Sequence, residues 1–195
     1  RGLFADLALA ISSLGGNVVG ARVFTSRQGQ ALDVFHVQDV TGAALGCENP
    51  RALRRLADAL EAAGRGEPLA VEPRRGAELS RTAAFSIAPT VVVDNEASNE
   101  ATVVEASGRD RPGLLQALAR TLADNGLSIQ SAHIDGYGER AVDAFYVQTA
   151  EGGKVEEARK ITALKADLLA ALEQNEAGAP NTRPGLKRAR ASVAR

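Results

Sequence analysis

The 195-residue chain is 45% hydrophobic and 24% charged, which suits one or two globular domains, each large enough to bury a core. Its 23 Lys and Arg nearly balance 24 Asp and Glu, so no bulk charge points to nucleic acid or to a membrane surface. No apolar run approaches the ~20 residues of a spanning helix, no signal peptide is expected, and a single cysteine, Cys47, cannot form an internal disulfide; these features lead to the expectation of a cytoplasmic protein.

A helix is expected from the first residues, with Leu3, Phe4, Leu7, Ile11 and Leu14 on its apolar side and Gly15 at its end. Asn17–Thr25 and Ala31–Gln38 read as strands joined by a turn through Gln28-Gly29. Asn49-Pro50 is an N-cap followed by a proline in the first helical turn, where the missing N–H costs nothing. That second helix carries Leu53, Leu56 and Leu60 and stops at Gly64. Residues 64–81 form a polar connection, and Thr90–Asp94 is expected to be a closing strand of the same unit.

Residues 101–107 alternate and read as a strand, followed by the turn-rich link Gly108-Arg109-Asp110-Arg111-Pro112-Gly113. Pro112 is expected in the first turn of the next helix, whose apolar stripe is Leu114, Leu118 and Leu122 and whose end is Gly126. Strands follow over 128–134 and 141–149, with a turn at Gly136-Tyr137-Gly138 and Phe145 and Val147 sharing one face. A last helix runs over roughly 160–174 through Ile161, Leu164, Leu168 and Leu172.

The two halves are copies. Sliding residues 113–134 onto 2–23 superposes Gly2 on Gly113, Leu7 on Leu118, Ala8 on Ala119, Gly15 on Gly126 and Ala21 on Ala132. After a one-residue gap the match resumes with Asp33 on Asp143, Phe35 on Phe145 and Gln38 on Gln148. The expected class is α+β: two ferredoxin-like βαββαβ modules, each with a four-stranded antiparallel sheet backed by two helices, the first lacking its opening strand. Their bounds are set at 1–97 and 98–175, with a tail over 176–195 that is a disordered end, a closing strand over 188–193, or a nucleic-acid arm. The chain has no methionine and begins at Arg1, so a piece of a longer protein is expected.

With Arg109-Asp110-Arg111-Pro112-Gly113-Leu114-Leu115 between strand and helix, the second module resembles an ACT domain, a small-molecule-sensing family with an Asp-x-Pro-Gly-Leu turn. Together with Val92-Val93-Asp94-Asn95-Glu96-Ala97-Ser98-Asn99, the text is similar to the tandem ACT region of enzymes that attach and remove uridylyl groups on the PII nitrogen-regulatory protein. The resemblance implies glutamine as effector, PII as partner of the whole enzyme, and magnesium in catalytic parts outside this chain. It implies ligand contacts at Asp110, Arg111, Gly113, Leu114, Ser128 and Ile129, and at Gly2, Leu3, Asn17 and Val18 of the first copy. The first copy has Arg1 where the second has Pro112, which puts its own site in question.

Physical reasoning meets the resemblance at the link. A helix N-terminus presents free N–H groups and a positive dipole end to a carboxylate, Gly113 lets a ligand approach the backbone, and Asp110 can accept from an ammonium. From the residues alone, Asp110 and Gly113 equally well do no more than order and permit the turn. No Gly-Ser phosphate cradle, Asp-x-Asp pair or His-Asp metal centre is present, so no catalytic residue is assigned. His36 and His133 read as half-exposed strand residues and Cys47 as an inert thiol. An RNA-binding sheet would need stacking aromatics that 101–107 lacks, and a metal chaperone a second cysteine. An ACT pair that only dimerises or serves as a scaffold, through self-association of modules, remains the alternative function.

Overall fold

The computed structural model describes residues 2–26, 28, 30–68, 87–137 and 139–173. In chain order these are α1 (Leu3–Ser13), β1 (Asn17–Thr25), β2 (Ala31–Gln38), α2 (Pro50–Gly64), β3 (Thr90–Asp94), β4 (Thr102–Arg109), α3 (Leu114–Asp124), β5 (Ser128–Tyr137), β6 (Arg140–Gln148) and α4 (Ala158–Glu173). The anticipated strand over 188–193 and most of the connection over 64–81 lie outside the described residues.

The class is α+β, as expected, but the sheets are not separate. All strands join in one antiparallel sheet of order β2-β1-β5-β6-β4-β3, because β1 of the first copy pairs directly with β5 of the second. In that junction Arg22 stands opposite His133, the residue on which the repeat superposes it. A pseudo-twofold axis therefore passes between them. Both copies also carry a bulge at the same repeat position, between Val18 and Gly20 in β1 and between Ile129 and Ser131 in β5. Joining the copies hides two strand edges that separate sheets would leave open.

The helices form one layer over the sheet, in the order α2, α1, α3, α4. Small residues allow α1 and α3 to approach closely: Ala5 and Ala8 on one, Ala119 on the other, all nearly fully buried. One core runs through both copies, from Phe4 and Val23 to Leu118, Phe145 and Leu168.

Three expectations are corrected. Thr90–Asp94 is a strand, but it pairs with β4 of the second copy, at the place where a closing strand completes a ferredoxin-like sheet. The loop after it is tied in place by Asn95, which accepts from Thr102 Oγ1 at 2.6 Å and donates to the Val155 carbonyl at 2.9 Å. Pro112 lies before the α3 helix rather than in its first turn, because Gly113 at φ 81° is left-handed and the helix cannot begin until Leu114. β5 runs on through Gly136 and Tyr137, two residues that had been expected in the turn.

Candidate functional site

The β4–α3 link is where the sequence placed a binding site, and the fold holds it firmly. The Asp110 N–H donates to the Glu139 carbonyl at 2.8 Å, fixing the link to the β5–β6 turn. Arg111 Nη2 donates to the Ala171 carbonyl at 2.6 Å, setting a cation against the last turn of α4. Gly113 precedes α3 with no side-chain cap, so the first-turn N–H groups are not closed off by a capping side chain.

A cleft lies between this link and the α1–β1 turn of the other copy, with about 30 Å³ of free volume. Asp110, Arg111, Gly113, Leu114, Asn17 and Val18 all line it. The site is thus built across the two copies. Gly2, Leu3, Ser128 and Ile129 are not among the residues lining the cleft. They are the repeat counterparts of Gly113, Leu114, Asn17 and Val18, on the other side of the pseudo-twofold axis.

The electrostatics are uneven. Burial raises the Asp110 carboxyl above its usual range, opposed by hydrogen bonding from the Arg111 N–H and from Asn17 and by the Arg111 charge. Burial lowers the Arg111 guanidinium, and its Nε has no hydrogen-bond partner among the described residues. Arg111 thus braces the link against α4 through Nη2 while its side chain also lines the cleft.

Asp143 of β6 also lines the cleft and was missed as a site residue. It is 2% exposed, and its Oδ1 has no hydrogen-bond partner among the described residues. Burial pushes its carboxyl up to about 7, helped by the charges of Asp110 and Asp135. The signal was in the sequence: Asp143 falls in the same alternation as Ala141, Phe145 and Val147, a carboxylate in a buried apolar register. Its repeat counterpart Asp33 also has an unpartnered buried Oδ1 and a raised pKa from burial.

Residues 102–160 match the model of the ACT domain family. The second copy is therefore similar to ACT domains over most of its length. Across the whole chain, a protein of Caulobacter vibrioides called "Bifunctional uridylyltransferase/uridylyl-removing enzyme" is 85% identical, with all of this chain aligned to 21% of the relative. Proteins of the same name from Phenylobacterium zucineum and Azospirillum brasilense are 66% and 43% identical, over 99% and 88% of this chain and 21% and 19% of theirs. The chain thus spans about a fifth of the length of these relatives. No solved structure matches it. Among the described residues no helix is long and apolar enough to cross a membrane, and no group of three or more His, Cys, Asp or Glu could hold a metal ion.

Proposed function

We propose that this chain is a regulatory region that senses an amino acid, glutamine, in the cleft between its two copies. It would control uridylyl transfer to, and removal from, the PII nitrogen-regulatory protein by an enzyme that carries it. The observation that supports this is the convergence of the uncapped α3 N-terminus and Asp110 on one cleft with Asn17 and Val18 of the other copy. The N-terminus takes the ligand's carboxylate, and Asp110 accepts from its ammonium.

A ligand seated in the cleft bears on both the α1–β1 turn and the β4–α3 link and would shift them as it binds. That motion works on the junction between copies, which is how occupancy would be signalled outward. The magnesium expected for the enzyme belongs to its catalytic parts, outside this chain.

The test is a comparison of an enzyme carrying this region with a version lacking it. Glutamine should change the balance of uridylyl transfer and removal in the first and not in the second. A truncated enzyme that still responds to glutamine would overturn the proposal.

A further inference from the structure

Resting on the reading that the cleft receives an amino acid, we infer that Asp143 selects ligands with a free α-amino group, accepting their ammonium at the inner wall of the cleft. β6 holds this carboxylate between two strands that offer it no side-chain donor in register, since its partners are Ala106 in β4 and Ile134 in β5. Its Oδ1 is buried in the cleft lining and has no partner among the described residues. A buried, unpaired carboxylate oxygen is costly, and that cost falls when a cationic donor arrives.

The surrounding groups sharpen the chemistry. α1 contributes Ala8 and Ser12 to the cleft, and the start of α3 contributes Leu115 and Gln116, none of them charged. β5 contributes Asp135 and the link contributes Asp110, both anionic. The lining cation, Arg111, has Nη2 engaged with the Ala171 carbonyl. The cleft thus presents carboxylates in excess, which favours an ammonium and rejects an analogue that lacks one.

Asp143 titrates near neutrality through burial and the charges of Asp110 and Asp135, so part of the population holds a proton there at pH 7. An arriving ammonium favours the ionised form and expels that proton to solvent. Binding is then proton-linked, with about half a proton released per ligand at pH 7 and a smaller fraction above pH 8.

The experiment is calorimetric titration of the 195-residue chain and its Asp143→Asn variant with α-amino acids, glutamine among them, and with their analogues lacking the α-amino group. Each is run in two buffers of different ionisation enthalpy, which reads proton release. Wild type should bind glutamine with proton release and should not bind its desamino analogue. Asp143→Asn should lose roughly ten- to hundredfold in glutamine affinity and release no proton. If glutamine binds both chains with equal affinity and equal proton release, the inference is overturned while the glutamine reading stands. If another amino acid binds and glutamine does not, with release that depends on Asp143, the inference holds and the glutamine reading falls. Binding by no amino acid overturns both.

Discussion

Three residues set the behaviour of the cleft, and each responds differently to substitution. Asp110 gains nothing from being charged and buried, since burial raises its pKa. Asp110→Ala should leave the melting temperature almost unchanged while weakening glutamine binding roughly ten- to hundredfold, the loss of one charge-assisted hydrogen bond. Calorimetry and thermal melts on one preparation read both quantities; lost stability with preserved affinity would make Asp110 a turn residue only. Gly113→Val tests the site less cleanly than Asp110→Ala. Its Cβ would meet nothing within 4 Å, but at φ 81° the backbone itself costs about 1–2 kcal/mol, so stability should fall along with binding. Asp143 gives a pH signature without ligand. Its folded pKa of about 7 lies above the ordinary 3.8, so the folded chain holds more protons than the unfolded one between these values. Stability should therefore fall as pH rises from about 4 to 7, and level off above. Asp143→Asn should remove this slope and melt higher than wild type at pH 8, with little difference near pH 4. Melts across that range would contradict this if the two chains ran parallel.

At the scale of elements, what the sequence made legible was the list of pieces, and what it hid was their partners. The helices at Leu3 and Pro50 and the strands at Asn17 and Ala31 were visible because apolar periodicity and capping residues act within a few positions. Pairing of β1 with β5 was not visible, because both strands carry the same alternation in either a separate or a joined sheet. The same is true of β3, five residues whose pattern suits any edge; its place beside β4 depends on long-range contacts through Asn95 and Val155. The site divides in the same way. The link from Asp110 to Leu114 was found as a local motif, and Asn17 and Val18 came from the resemblance. That the two meet follows from the junction alone. Because Asn95 joins β3, β4 and the segment before α4, Asn95→Ala should cost about 1–3 kcal/mol by leaving the buried Thr102 hydroxyl short of a partner. Denaturant titration reads this, and an unchanged midpoint would show that the network is dispensable.

Among the described residues the two copies form one body, since Phe4, Ala5, Ala8, Ala21 and Val23 of the first copy share a continuous core with the second. Thermal unfolding should then be a single transition by circular dichroism and calorimetry alike. Two separated transitions would mean that the copies fold independently and that the junction is weak. The same unity is what lets a ligand wedged between the copies be felt beyond the cleft. The most direct test is to follow backbone amide resonances while titrating glutamine into the chain. Saturable shifts are expected, centred on the link and first turn of α3, residues 110–116, together with Asn17 and Val18 across the junction. No saturable shift, or shifts confined to residues away from this cleft, would contradict it.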